Sequence, residues 1–150
     1  VIARTNNTYK AISYIVIPVK ISVGREGVDI SNETTVVSVQ ISGNSSYYMT
    51  NIYNGTVPSD SYTPSNLTQT LNNLFKDKSK PVAYFAIEND DGDYLLETKE
   101  KGFLLIYLDK TLAWPYDTIK IEIKSSLGAS LTVEREIPPG LETNEFVDLG

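Results

Sequence analysis

The segment that most constrains this fold is residues 118–124, in which apolar and polar side chains alternate without exception. Ile119, Ile121 and Ile123 share one face, and the residues between and beside them are Thr, Lys and Glu. Successive side chains of a strand point to opposite sides, so a period of two predicts a β-strand with one buried face and one solvated face. Such a strand needs a second layer of structure to cover its isoleucines.

Two more strands are predicted on either side of this segment. Residues 102–108 are apolar on both faces, which is typical of a central strand that is covered on both sides. Residues 131–137 form the next strand, and Pro138-Pro139 ends it. Because only short links join the three segments, we expect them to form one antiparallel sheet.

The remaining sequence supplies further short strands and one helix. Strands are predicted at residues 11–23, 35–41, 82–87 and 146–149. A helix is predicted at residues 66–76, where Ser65 is the expected cap and Leu67, Leu71, Leu74 and Phe75 have helical spacing. The pattern predicts an all-β fold: one domain over residues 1–150, built as an antiparallel β-sandwich, immunoglobulin-like or related, with one short helix.

Composition excludes several classes of function. The chain has no cysteine and no histidine, so disulfides, thiol or imidazole catalysis and the usual zinc sites are excluded. Its net charge of −6 argues against binding to nucleic acid or to anionic membranes. It also lacks the Gly-x-Ser-x-Gly elbow and phosphate-binding glycine loops. We expect a protein that is not an enzyme, with a pair of facing carboxylates for glycoside hydrolysis as the remaining alternative.

An acidic turn at residues 89–93 is the candidate metal site. Side chains of Asn89, Asp91 and Asp93 are spaced so that their oxygens can converge on Ca²⁺ or another hard divalent cation, with Glu97 or Glu100 closing the shell. The turn departs from the helix–loop–helix calcium motif, because a tyrosine stands where that motif needs glycine. The alternative is a solvated Asp-Gly hairpin turn without a ligand.

The glycosylation pattern Asn-x-Ser/Thr occurs repeatedly in the first half of the chain. The acceptor asparagines are Asn6, Asn32, Asn44, Asn54 and Asn66. Most of them fall in predicted turns, which favours an N-glycosylated, secreted surface. The alternative is that a sequence rich in Asn, Ser and Thr produces such matches by chance.

Several parts of the chain follow one another in an informative order. They are the Val28-Asp29-Ile30-Ser31 step after the first strand, the helix end at 74–77 before the strand at 82–87, the acidic turn at 89–93, and the strand–Gly128-Ala129–strand unit between Lys101-Gly102 and Pro138-Pro139. In this order the chain resembles, over nearly its whole length, the outer globular domain of an archaellin, the filament protein of the archaeal flagellum. It departs from the archaellin pattern at Phe103, where that family often has aspartate.

The resemblance implies an extracellular, N-glycosylated subunit of a helical homopolymer of identical or related subunits, with a metal site at the acidic turn. Archaellins begin with a long apolar helix that builds the filament core. This sequence begins at Val1 without that helix, so we expect a fragment of a longer filament protein that would contact a membrane only through the absent helix. Filament contacts are heterologous, so the isolated domain is expected to be monomeric.

A second function remains open from the sequence. An anchoring or adhesion domain, similar to a stator component or an adhesive pilin, would share the β-sandwich and would bind an envelope protein or a carbohydrate. The residues upstream of Val1 discriminate between the two: a processed pilin-type helix indicates a filament subunit, and an uncleaved membrane anchor indicates an anchoring protein.

Overall fold

The structure is a computed structural model that describes residues 1–21, 27–44, 46–58, 61–88, 95–98, 100–109, 112–125 and 130–150. Within those residues the chain forms twelve strands and one α-helix. The strands are β1 (Ile2–Thr5), β2 (Ile12–Val19), β3 (Val28–Asp29), β4 (Val36–Ser42), β5 (Tyr47–Met49), β6 (Tyr53–Thr56), β7 (Val82–Glu88), β8 (Leu95–Leu96), β9 (Lys101–Tyr107), β10 (Thr118–Lys124), β11 (Ser130–Glu136) and β12 (Phe146–Asp148). The helix α1 spans Leu67–Phe75 and follows a 3-10 turn at Pro64–Asn66.

Two sheets form a β-sandwich. The larger has six strands in the order β12-β1-β2-β9-β7-β6, and the smaller has four in the order β11-β10-β4-β5. A short β3–β8 pair lies beside them. The pairings are antiparallel except for the edge pair β6–β7, which is parallel. The predicted all-β sandwich with one short helix is therefore confirmed.

The prediction that residues 102–137 form one sheet is wrong. β10 pairs with β11 and β4, whereas β9 lies between β2 and β7 in the other sheet. The link through Trp114 therefore carries the chain from one layer to the other. The side-chain pattern explains the division: β9 is apolar on both faces and needs two covering layers, whereas β10 has only one apolar face.

The space between the two sheets is filled by aliphatic side chains. Ile119 and Ile121 of β10 are each only 2% exposed, and Val39 and Ile41 of β4 are fully buried beside them. The six-stranded sheet supplies the opposite half of this core. Because burial of apolar surface is the main favourable term in folding, this layer is the principal source of stability.

Helix α1 covers part of the outer face of the six-stranded sheet. Its Leu71 and Phe75 are buried against that face. The predicted helix boundaries are confirmed to within one residue at each end, but the predicted Ser65 cap is wrong. Asn66 caps the helix instead, because its Oδ1 accepts a hydrogen bond from the Gln69 N–H at 3.1 Å. No helix in the described part of the chain is long and apolar enough to span a membrane.

Candidate glycan acceptors and surface sites

The predicted metal ligands Asn89, Asp91 and Asp93 lie outside the described residues. Of the two residues predicted to complete the shell, Glu100 is buried, with 5% of its surface exposed, and its Oε2 accepts a hydrogen bond from the Glu97 N–H at 3.0 Å. This oxygen therefore stabilises a local turn. Among the residues that the structure describes, no group of three or more acidic side chains converges. The calcium site stays a prediction.

Four of the five predicted glycan acceptors project into solvent. Asn32, Asn44, Asn54 and Asn66 are exposed, whereas Asn6 is half-buried. Glycosylation modifies the side-chain amide nitrogen of asparagine, so the hydrogen bonds of that nitrogen distinguish the five sites further. The fold brings Asn32 and Asn54 together at one cleft and leaves the other three acceptors on separate loops and at the start of α1.

Both polar atoms of the Asn6 side chain form hydrogen bonds with residues close by in the chain. Its Nδ2 donates to Ser13 Oγ at 3.1 Å, and Ser13 is only 1% exposed. Its Oδ1 accepts hydrogen bonds from the N–H groups of Thr8 at 2.8 Å and Tyr9 at 3.2 Å. A sugar on Nδ2 would replace one of its two hydrogens and would have to fit beside the buried Ser13, so Asn6 is the most hindered of the five acceptors.

The other acceptors differ in the partners of their amide nitrogens. Asn54 Nδ2 donates to the Tyr84 hydroxyl at 3.1 Å, and Asn66 Nδ2 donates to Gln69 Oε1 at 3.0 Å. Within the described part of the chain, the side chains of Asn32 and Asn44 form no hydrogen bond of their own. These two amides are therefore the most accessible to an incoming sugar.

Asn32 and Asn54 lie at the mouth of one polar cleft of about 610 Å³. Asp29, Glu33 and Gly55 also line this cleft. Gly55 has φ of +93°, and a Cβ there would lie 3.8 Å from Asn32 Cβ, so the two segments are in close contact. The Ser31 N–H donates to Asp29 Oδ1 at 2.8 Å and lowers the pKa of that carboxyl, assisted by the Ser31 hydroxyl. The cleft therefore retains a negative charge at neutral pH.

The loop that carries Asn44 is fixed to a neighbouring turn by Asp117. This carboxylate is only 1% exposed; its Oδ1 accepts from the Asn44 N–H at 3.1 Å and its Oδ2 accepts from the Trp114 N–H at 3.0 Å. A Cβ at Gly43 would lie 2.1 Å from Asp117 Oδ1, so only glycine fits beside the carboxylate. Asn44 is thus held at one end of the sandwich.

Similarity to known proteins decides the family. The chain is 38% identical over 145 residues to Probable flagellin 1 of Aeropyrum pernix, and the match covers 97% of the chain and 68% of that relative. The chain belongs to the archaeal flagellins. The flagellin resemblance is thereby confirmed, and so is the expectation that the protein is not an enzyme, since flagellins are structural proteins of filaments.

The fold of this flagellin is shared with a solved relative. The crystal structure of archaeal flagellin FlaB1 from Methanocaldococcus jannaschii superposes with a TM-score of 0.67, covering 99% of the chain and 91% of that structure at 12% sequence identity. At this identity the likeness concerns the fold alone. No protein-family model matches the chain.

Proposed function

We propose that this flagellin chain is the extracellular head of an archaellum subunit, which carries N-linked glycans and packs beside identical or related copies in a helical filament. The observation that carries the proposal is the 38% identity to a flagellin along 97% of the chain. The exposed acceptors Asn32, Asn44, Asn54 and Asn66 support an outward-facing, glycosylated surface. The sequence also lacks histidine and cysteine, the residues that most often act as catalytic base or nucleophile.

Asn32 and Asn44 are proposed as the principal acceptors and Asn6 as the poorest. The first two have exposed amides without hydrogen bonds in the described part of the chain, whereas the Asn6 amide is bound to Ser13. Modification of Asn54 would place a sugar on the nitrogen that donates to the Tyr84 hydroxyl, and modification of Asn66 would leave its capping Oδ1 in place. These two are expected to be intermediate.

Glycopeptide mass spectrometry of the protein from its native filament tests this order. Trypsin cleaves after Lys and Arg, and no such residue lies between 26 and 75, so the peptide 26–76 carries four acceptors and the peptide 5–10 carries only Asn6. We expect glycans on peptide 26–76, assigned by fragmentation mainly to Asn32 and Asn44, and none on peptide 5–10. An unmodified peptide 26–76 would contradict the glycosylated surface. Asn32→Gln and Asn44→Gln variants should each remove one glycan.

The contacts between heads are proposed to be heterologous and weak. A filament repeats one contact along its length without closing a symmetric dimer, and its stability comes from many such contacts at once. We expect the 150-residue chain to sediment as a monomer at micromolar concentration. A tight, symmetric dimer in solution would oppose side-by-side packing in a filament.

The acidic turn is proposed to bind Ca²⁺ through Asn89, Asp91 and Asp93, and this proposal is supported by the sequence pattern alone. A bound ion stabilises the folded state by mass action, so calcium should raise the melting temperature of the chain. An Asp91→Ala/Asp93→Ala variant should lose that increase. A melting temperature of the natural chain that is the same in calcium and in chelator would leave only a solvated hairpin turn.

A further inference from the structure

The most unusual backbone position on the surface is Tyr116. Its φ is +72°, in the left-handed region that bulky residues rarely adopt, and 68% of its surface is exposed. The Asp117 N–H donates to the Trp114 carbonyl at 3.1 Å, which closes a turn with Pro115 and Tyr116 at its centre. Proline followed by a residue with positive φ is typical of a type II turn, in which glycine is the usual occupant of the second position.

Hydrogen bonds to neighbouring segments fix the strained turn at Tyr116. The Tyr116 N–H donates to the Ile137 carbonyl at 2.8 Å, and the Ile137 N–H donates to the Asp117 carbonyl at 2.8 Å. The buried Asp117 carboxylate holds the Trp114 N–H and the Asn44 N–H. Tyr116 keeps a strained backbone although its side chain is not buried in the fold. Such strain indicates a function for the exposed side chain.

A complementary feature lies at the other end of the sandwich. There the two sheets separate around a cleft of about 300 Å³, which is at the small end of the range of about 300–1,000 Å³ for ligand pockets. Its lining is mostly aliphatic and includes Val19, Ile21, Val28, Ile30, Ile123 and Leu131. Leu131 stands at the rim with 45% of its surface exposed. An apolar cleft of this size fits one aromatic side chain.

The strands place the Tyr116 turn and the cleft at opposite ends of the molecule. Tyr116 lies two residues before β10, whereas Ile123 lies near the end of β10 and lines the cleft. In β11, Leu131 lies near the start and Ile137, which holds the turn, directly follows the strand. A seven-residue strand such as β10 separates its two ends by roughly 20 Å at about 3.3 Å per residue.

We propose that the Tyr116 turn of one subunit inserts into the apolar cleft of the next subunit, so that the heads join end to end along the filament. A projecting side chain and a cleft on opposite ends of one molecule form a heterologous contact, which repeats indefinitely. Tyrosine suits this role because its ring fills an apolar site while its hydroxyl stays in water. This inference rests on the proposed function as a filament subunit.

Disulfide cross-linking of filaments tests the contact, because the natural chain contains no cysteine. Cells would carry a Tyr116→Cys/Leu131→Cys subunit in place of the natural subunit. Under a mild oxidant, this variant should give a ladder of covalently joined subunits on a non-reducing gel. Each single variant should give at most dimers. A matched Tyr48→Cys/Leu131→Cys variant, which uses a tyrosine that is 62% exposed on the edge strand β5, should give no ladder.

The outcomes separate the two proposals. Filaments of the Tyr116→Cys/Leu131→Cys variant without a ladder would overturn the end-to-end contact and leave the filament function standing. Failure of the natural chain to enter filaments at all would overturn the proposed function itself. A small apolar ligand or another segment of the chain as the occupant of the cleft would also appear as filaments without a ladder.

A second variant covers the case in which the cysteines disturb folding. Tyr116→Gly replaces the strained residue with the one that suits its φ, so the melting temperature of the isolated chain should stay the same or rise. The dissociation temperature of filaments that contain this variant should fall, and Leu131→Lys at the cleft rim should lower it as well. Filaments of Tyr116→Gly that are as heat-stable as natural filaments would contradict the proposal.

Discussion

Two neighbouring residues of β9, one on each face of the strand, are equally buried but are covered in different ways. Leu104 and Leu105 are neighbours in the strand and both are fully buried. Leu104 points into the aliphatic core between the sheets, whereas Leu105 packs with helix α1. Around Leu105 lies a cluster of rings in which Phe75 contacts Tyr14, Tyr84 and Tyr107 with centroid separations of 5.7–5.9 Å.

The layers that cover the two faces of β9 differ in how far they can move. The inner face is clamped between two sheets whose backbones are fixed by hydrogen bonds to neighbouring strands. The outer face is covered by a nine-residue helix, whose backbone hydrogen bonds are internal, so that it can shift as a unit. Leu104 and Leu105 are therefore expected to contribute unequally to the free energy of unfolding, although both are fully buried. Truncation of a side chain on the inner face should be the more destabilising.

Truncation of the two leucines gives the largest expected effect. Leu104→Ala should lower the free energy of unfolding by about 3–5 kcal/mol, because the sheets cannot close the cavity. Leu105→Ala should cost about 2–3 kcal/mol, because the helix can move toward the sheet. Urea denaturation followed by circular dichroism measures both. Equal costs, or a larger cost for Leu105→Ala, would mean that the helix is held as rigidly as the second sheet.

Gly102 offers a second test of rigidity on the inner face. A Cβ there would lie 2.3 Å from Cε1 and 2.4 Å from Cζ of Phe85, whose ring is buried in the core. Gly102→Ala should therefore cost about 1–3 kcal/mol through overpacking. Adding Phe85→Leu, which removes those ring atoms, should recover part of the loss relative to Phe85→Leu alone.

The matched control for Gly102 is Gly27, where a Cβ would meet its neighbours at ordinary separations of 3.4–3.5 Å. Gly27→Ala should change the free energy of unfolding little, or raise it slightly by restricting the unfolded chain. If Gly102→Ala is as stable as Gly27→Ala, the Phe85 ring moves aside without cost and the inner face is softer than its burial indicates.

Local pattern was enough to predict the strongest elements of this fold. The alternation of residues 118–124 predicts β10 with its observed ends, because one face of that strand is solvated. β1 and β6, with four residues each, were not predicted from the sequence. Both exist through pairing with strands that are distant in the chain. The sheet to which β9 belongs could not be predicted either, since turn length does not report a change of layer.

The candidate sites, too, could be predicted from the sequence only in part. The glycosylation pattern located the five acceptors, but their ranking depends on partners that the fold supplies. Ser13 reaches Asn6 across the β1–β2 connection, and Tyr84 reaches Asn54 from a neighbouring strand. At the Tyr116 turn, tyrosine in place of the usual glycine hid the left-handed backbone from sequence analysis.

Alkaline pH should weaken the outer face. Burial raises the pKa of Tyr14, Tyr62 and Tyr107, and the Asp109 carboxylate adds to the effect at Tyr107. A pKa above the unfolded value means that the folded state holds the proton more strongly. The resulting stability is fully present below about pH 10, the ordinary pKa of tyrosine, and is lost as pH rises through the folded pKa values.

The measurement is the free energy of unfolding as a function of pH, which should fall from about pH 10 upward. Tyr14→Phe and Tyr107→Phe should each make the fall shallower. A fall that is the same in both variants as in the natural chain would assign the alkaline loss to the other tyrosines whose pKa burial raises, which are Tyr47, Tyr53 and Tyr62.

The cap of α1 gives the smallest expected effect and isolates the helix itself. Asn66→Ala removes the acceptor of the Gln69 N–H and should cost about 1 kcal/mol. Asn66→Asp also removes the glycan-acceptor amide but keeps a capping oxygen, so the stability of this variant in urea denaturation should stay close to that of the natural chain.

Because the helix covers only the outer face, Asn66→Ala should loosen the aromatic cluster and leave the aliphatic core intact. Near-ultraviolet circular dichroism of the tyrosines should therefore change below the unfolding transition, while amides of β4 and β10 keep their protection from hydrogen exchange. Loss of protection in β4 and β10 at the same step would show that both faces of the six-stranded sheet unfold as one unit.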